Sequence, residues 1–439
     1  MTTPNDAGHA VEESTVVSAA DESAKRFAAD GALLLVANGL AGLLFLLVHA
    51  VLGRWMDGVD YALVVSLLGL LNVLSVGGNA LQLAMARATA GRAARTDAWS
   101  SLARSGLGRM VRLLPLLLLA WCGVAWLLRP HLAGASATAP FAALVLLGVI
   151  AALRLIVPLA QGLLQGLRRF GWIAAAAIGG AVTRLTAAVV VAAASGGVTA
   201  VLGAFVAGAT ATLALSLWPV RDRLRAPSSG ATTNDGPDDA AVWRYALRVG
   251  AGQIALFTLM NVDLVLAPRL LAGDALAAYG KAAVLARAVI FLPLPVVGAM
   301  VPRAAVSARR GLVGAPLLFV LGVGALLALV AATWPTLLLQ LLYGAGTEPA
   351  AADLLARMVW AVLPLAAIEV ALPWLWARGR TGGVISLAVP VSLYVAVLLA
   401  GDLVAGDPAR LVGAVAAASL GCLLWLVLAA RVESRWVGS

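Results

Sequence analysis

Twelve apolar runs, each long enough to cross a bilayer, leave this chain almost no other way to fold. They occupy 31–52, 59–83, 110–129, 137–163, 171–194, 197–218, 243–268, 275–301, 312–334, 354–377, 382–401 and 408–430. About 20 apolar residues in a helix match the ~30 Å hydrocarbon core of a membrane. Within that core each backbone N–H and C=O must find a partner in the protein, so only helices or closed barrels can cross. Barrel strands alternate in short segments, whereas these runs are continuous. The expected fold is therefore all-α: a polytopic membrane protein of about twelve transmembrane helices. The 439 residues are 62% hydrophobic and 12% charged. A soluble chain carries about 25% charge, so a soluble core is excluded.

The polar segments between the runs set the organisation. Residues 1–30 are acidic and polar, without the basic start and cleavage site of a signal peptide, and are expected to form a disordered cytoplasmic tail. Loop 84–109 is basic and reads as an amphipathic surface helix. Residues 219–242 are rich in Ser, Gly, Pro and Asp and read as a flexible cytoplasmic linker. That linker divides the runs six and six, into bundles 31–218 and 243–430, with 431–439 as a second short tail. The halves carry related text. "DGVDYALVVSLLGLL" runs from Asp57, with Arg87 lying 26 residues after Tyr61. "DALAAYGKAAVLARA" runs from Asp274, with Arg303 lying 24 residues after Tyr279. Two pseudo-symmetric six-helix bundles in parallel orientation are expected, an arrangement that transporters use to hold substrate between repeats near the bilayer midplane.

The chain is basic, with a formal charge of +10. With both termini placed inside, 22 of the 31 Lys and Arg residues fall on inner segments and five on outer flanks. This is the positive-inside pattern, and it puts both termini in the cytoplasm. Because the arginines lie between apolar runs rather than on a polar domain, nucleic acid is not an expected partner. Cys122 and Cys422 lie in apolar runs, and His9, His49 and His131 are scattered, so neither a disulfide framework nor a metal site is expected. No G-x-x-x-x-G-K-[ST] loop or H-E-x-x-H motif is present, and no outer loop carries an acidic pair. No catalytic residues are expected.

Deepest inside the runs lie six candidate charged groups: Arg154, Arg184, Asp263, Lys281, Arg287 and Glu369. A charge at the bilayer centre costs about 3 kcal/mol on insertion scales, so such groups face a cavity or a partner. Arg184 and Arg287 fall near mid-membrane, one in each half. Arg154 lies closer to the cytoplasm and shares a helical face with Pro158, Gln161 and Gln165. It either lines a wet cavity or snorkels inward. Lys281 and Asp263 sit at similar depth in adjacent runs and can pair. Glu369 either meets an arginine, stays protonated, or binds a coupling ion. Guanidinium groups from two halves suit a phosphate or pyrophosphate headgroup, which accepts forked hydrogen bonds. The candidate cavity cations are Arg154, Arg184, Arg287 and Lys281; Asp263 and Glu369 are candidates for ion coupling or pairing. Pro293 and Pro295 bend their helix and either help the halves rock or simply fit a curved bundle.

Four stretches then carry a family likeness: "LLQGLRRF" at 163–170, "NVDLVLAPRLLAGDALAAYGKAAVLARAVIFLPLPVVGAMVPRA" at 261–304, "LLYGAGTEPAAADLLARMVWAVLPLAAIEV" at 341–370 and "ARGRTG" at 377–382. In these the chain resembles the polysaccharide-transporter flippases, within the superfamily that also holds O-antigen flippases, the lipid II flippase and the multidrug-and-toxin exporters. The resemblance implies export of an undecaprenyl-pyrophosphate-linked oligosaccharide across the bacterial inner membrane by alternating access. It implies no cofactor, though H⁺, Na⁺ or the membrane potential would drive the cycle. Membrane lipid and glycosyltransferase or polymerase partners are implied as well. The family's cationic cavity maps onto Arg154, Arg184 and Arg287. Two features depart from the lipid II flippase: twelve runs rather than fourteen, and a first run with Asn38 but no arginine. A cation-coupled drug exporter of the same fold is the alternative; four buried cations against two buried acids disfavour it. A membrane glycosyltransferase or ligase would need the acidic outer loop that is missing.

Overall fold

A computed structural model describes residues 5–90, 96–132, 141–225, 239–291, 314–346, 349–377 and 385–436. The fold is all-α and polytopic. In chain order the helices are α1 (Asn5–Trp55), α2 (Gly58–Leu74), α3 (Val76–Ala90), α4 (Thr96–Leu132), α5 (Phe141–Gly166), α6 (Phe170–Ala193), α7 (Val198–Leu217), α8 (Arg221–Arg225), α9 (Asp239–Leu270), α10 (Gly273–Phe291), α11 (Gly314–Thr333), α12 (Pro335–Tyr343), α13 (Pro349–Ala377), α14 (Ala388–Ala400) and α15 (Pro408–Trp436).

Where the residues are described, each of the twelve expected runs falls on helix, the second being shared by α2 and α3 on either side of Ser75. Among the described residues nine helices are long and apolar enough to cross a membrane, or ten if α11 and α12 form one broken span. The two other runs are short or charged. The apolar helix α14 has 13 residues. Helix α10 carries Asp274, Lys281 and Arg287 along 19 residues. Pro293 and Pro295 lie outside the described residues, as does most of the inner half of that run.

Several boundaries differ from expectation. α1 begins at Asn5, so the segment read as a disordered tail is helical. Its alanines and glutamates are good helix formers, and a membrane helix already nucleated at its C-terminal end extends through them at little cost. The basic loop 84–109 holds no separate helix among the described residues; α3 runs into it from one side and α4 from the other. The linker is also shorter than read. Residues Trp218–Val220 form a 3₁₀ turn that leads into α8. There Arg221 stacks 3.7 Å over the Trp218 ring, and Arg169 donates to the Pro219 carbonyl at 2.7 Å. Residues 226–238 lie outside the described residues, and α9 has begun by Asp239.

Two kinds of contact hold the helices together. In lipid, apolar association gains little from water exclusion, so close packing of small residues and interhelical hydrogen bonds dominate. The α3–α5 seam shows the first kind. A Cβ at Gly78 would lie 2.4 Å from the Arg154 carbonyl oxygen, and one at Gly162 would lie 2.3 Å from that of Gln82. The second seam joins the chain's two halves, where α2 packs on α9 and α10 and α3 packs on α9. Here a Cβ on Gly280 would stand 2.9 Å from Ala62 Cβ. Ala62 and Gly280 each follow the tyrosine that marks its repeat, Tyr61 and Tyr279, so equivalent positions of the two repeats touch. Both tyrosines are fully buried.

Candidate functional site

The deepest charged group is a buried ion pair on α9 and α10. Nη2 of Arg287 lies 2.7 and 2.6 Å from the two oxygens of Asp263. Its Nε donates to the Met260 carbonyl at 3.0 Å, and Tyr279 donates to Asp263 Oδ2 at 2.5 Å. Helical spacing supplies the geometry: Tyr279, Ala283 and Arg287 share one face of α10, and Met260 and Asp263 share one face of α9. Asp263 therefore engages Arg287 rather than the equal-depth Lys281 expected from counting. Side chains lean toward the N-terminus of their own helix. α9 and α10 are antiparallel, so Asp263 leans inward and Arg287 leans outward, and the two meet although their Cα atoms differ in depth. Lys281 is 8% exposed, and its backbone carbonyl accepts from Tyr343 at 3.3 Å.

The first half's cations are held differently. Arg154 is half-buried on α5 and donates through Nη1 to Asn72 Oδ1 at 3.2 Å. Asn72 in turn donates to Asn261 Oδ1 at 3.4 Å, which carries the polar contact from α5 through α2 to α9. The rest of the expected polar stripe on α5 faces α3. Gln165 accepts from Gln82 at 3.4 Å, and Pro158 packs beside Gly78. Arg184 on α6 lies beside an edge-to-face pair of rings, 5.7 Å from the Phe45 ring centre and 5.1 Å from that of Phe205. Its Nε is buried with no hydrogen-bond partner among the described residues. Arg154 and Arg184 lie within electrostatic range of each other. Neither meets a carboxylate among the described residues.

Glu369 lies on α13 and is 6% exposed; its Oε2 has no hydrogen-bond partner among the described residues. Tyr394 on α14 has a buried hydroxyl in the same condition and lies within range of the Asp263–Arg287 pair. No group of three or more His, Cys, Asp or Glu suited to a metal exists among the described residues.

Sequence reasoning passed over a second polar cluster. His49 on α1 is 3% exposed, and its Nδ1 lies 3.0 Å from the Tyr61 hydroxyl. The Tyr61 hydroxyl lies 3.0 Å from that of Tyr343, which donates to the Lys281 carbonyl. Each phenol has one hydrogen to give. Tyr343 gives its hydrogen to Lys281, so it accepts from Tyr61, and His49 Nδ1–H must then donate to Tyr61. Close by, Arg54 donates to the carbonyls of Leu342 at 3.0 Å and Leu341 at 2.6 Å. The one signal available in the sequence was the repeated tyrosine, which marked Tyr61 but gave no hint of Tyr343.

No protein-family model matches the chain, and no curated protein sequence matches it. Solved structures do. An inward-facing multidrug resistance MATE family transporter of the MOP superfamily superposes with a TM-score of 0.68 at 13% identity, covering 90% of this chain and 94% of that one. The lipid II flippase MurJ, in an inward closed conformation, gives 0.70 at 10% identity, covering 90% and 87%. An outward-facing MATE family transporter gives 0.54 at 12% identity, covering 92% and 94%. At these identities the likeness is one of fold: the chain shares the helical architecture of these three structures.

Proposed function

We propose that the chain is a flippase for an anionic, lipid-linked cargo, most specifically an undecaprenyl-pyrophosphate-linked oligosaccharide. In this reading it moves that cargo from the inner to the outer leaflet of a bacterial inner membrane for polysaccharide or cell-envelope synthesis. The observation that carries the reading is Arg184: a deep guanidinium with a buried, unpartnered Nε, held by ring faces instead of carboxylates, and near a second arginine. Two cations kept close without a counter-ion among the described residues leave room for an incoming anion, and a pyrophosphate supplies both the charge and the forked acceptors. Arg154 and Arg184 are the assigned grip. Arg287 is set apart from them because its charge is spent on Asp263, and Lys281 takes a supporting place beside Tyr279. The bundles 31–218 and 243–430 serve as the two units of alternating access. Both termini are assigned to the cytoplasm on the arginine distribution. Glycosyltransferases or a polymerase would supply and receive the cargo.

Arg184→Ala should reduce export at least tenfold with near-normal protein level, and Arg184→Lys should keep part of it, because the forked contact is lost while the charge stays. The measurement is complementation of a strain lacking the chain, together with the lipid-linked sugar that accumulates on its inner leaflet. Full complementation by Arg184→Ala and Arg154→Ala would remove the grip from this site.

A second reading, a cation-coupled drug exporter, draws on the fold likeness to MATE family transporters and on Glu369, a buried acid with an unpartnered oxygen. H⁺, Na⁺ or the membrane potential would drive either cycle, with Glu369 or Asp263 as the responsive acid. If the strain lacking the chain still exports the sugar but loses drug resistance, and Glu369→Gln fails to restore that resistance, the exporter reading prevails.

A further inference from the structure

The contacts on the Trp55 side of the molecule form a latch. That side gathers the end of α1, the start of α2, the turn between α9 and α10, and α12. Polar bonds tie these elements across the two halves. Tyr343 joins Tyr61 of α2 to the Lys281 carbonyl of α10, and Arg54 of α1 holds the carbonyls of Leu341 and Leu342 at the end of α12. Beneath them Ala62 and Gly280 touch without any larger side chain between.

The element that carries Tyr343 is built to turn. α12 has nine residues and meets α11 at 86°. Trp334 breaks the helical path at its start, with φ −123° and ψ 50°, and Gly344 breaks it at its end, with φ 90°. A positive φ of that kind suits glycine and ends a helix abruptly. So α12 is a short lever with a joint at each end, and Tyr343 and the two carbonyls before it bind it to α1, α2 and α10. Such a lever can leave its seat while long helices stay intact, as hinge elements do in domain closure.

We propose that α12 is the latch of this side: Tyr343 and the Leu341 and Leu342 carbonyls close it through Tyr61 and Arg54, and they must release before cargo can leave there. This rests on the reading of the chain as a transporter that alternates access, with the basic loops on the opposite side. His49 is a positioning residue, because its Nδ1–H fixes the hydroxyl of Tyr61 toward Tyr343. The latch makes no reference to the chemistry of the cargo, and so it can be tested apart from it.

The test uses the full chain in its membrane with Cys122 and Cys422 replaced by alanine. First, an Ala62→Cys variant is labelled with a membrane-impermeant maleimide from the outer side. Labelling should be slow, because Ala62 is 2% exposed. It should rise at least fivefold with Tyr343→Phe or Arg54→Ala. Second, Arg54→Cys with Leu341→Cys, a pair whose native side chain and carbonyl touch, is bridged by a bis-methanethiosulfonate reagent, and export of the lipid-linked sugar is followed. Bridging should stop export, and a reducing agent should restore it, with the single-cysteine chains as controls. Labelling unchanged by both latch variants would overturn the proposal, as would full export by the bridged chain. Labelling that rises as expected in a chain that moves no lipid-linked sugar would support the latch and remove the cargo reading alone.

Discussion

At the scale of single residues, the contrast between Arg287 and Arg184 decides most of the chemistry. Arg287 is 6% exposed and rests in a carboxylate fork with a carbonyl at its Nε. Taking away one member of such a buried pair strands the other's charge and costs about 3–5 kcal/mol, while removing both can be nearly neutral. Arg287→Met and Asp263→Asn should each lower thermal stability in detergent strongly, and the double variant should recover much of the loss. A double-mutant cycle without coupling would show the contact to be incidental. Arg184 is held by weaker forces; a guanidinium over an aromatic face gains roughly 0.5–2 kcal/mol. Its replacement should cost function far more than stability. That six ionisable groups sit in apolar runs was legible from the sequence, and so was their need for partners. Which partner each would take was not. Depth counting matched Asp263 to Lys281, but the lean of side chains along antiparallel helices matched it to Arg287. His49 was passed over because a lone histidine in an apolar run carries no pattern; only the tyrosine twelve residues on gives it a role.

At the scale of elements, the seam between α3 and α5 is the tightest test of packing. Gly162 allows the Gln82 carbonyl to approach where a Cβ would stand at 2.3 Å. The clash would be with backbone, which cannot swing aside, so Gly162→Leu must push the two helices apart. It should lower expression and thermal stability more than Gly39→Leu, at a position where an added Cβ meets nothing within 4 Å. The separation would also shift Arg154, whose own carbonyl lies against Gly78 in the same seam. Helices themselves were well signalled by apolar continuity, since lipid leaves the backbone no other means of satisfying its hydrogen bonds. The expected run ended at Trp334, where the path breaks, but the short helix α12 beyond it was not signalled. The segment stays apolar on both sides of the break, and hydropathy records where a chain prefers lipid without recording its direction there. The helical course of α1 from Asn5 was hidden for the opposite reason: polar composition reads as a tail even when its alanines and glutamates propagate a helix already begun.

At the scale of the whole molecule, the repeated tyrosine proved the most informative piece of text. It predicted related halves, and the structure brings the residues that follow Tyr61 and Tyr279 into contact, as expected where an approximate symmetry axis passes between two repeats. The tyrosines themselves have diverged: Tyr61 faces Tyr343 and His49, and Tyr279 serves Asp263. Repetition was legible, divergence was not, because partners contributed by other helices lie hundreds of residues away. The cancelled charge of Arg287 has a last consequence. If an anion is gripped by Arg154 and Arg184, both fingers belong to the same half, and the deep arginine of the other half, Arg287, is already held by Asp263. The two repeats would then differ in kind: one carries the load across, and the other serves as the door that swings past it.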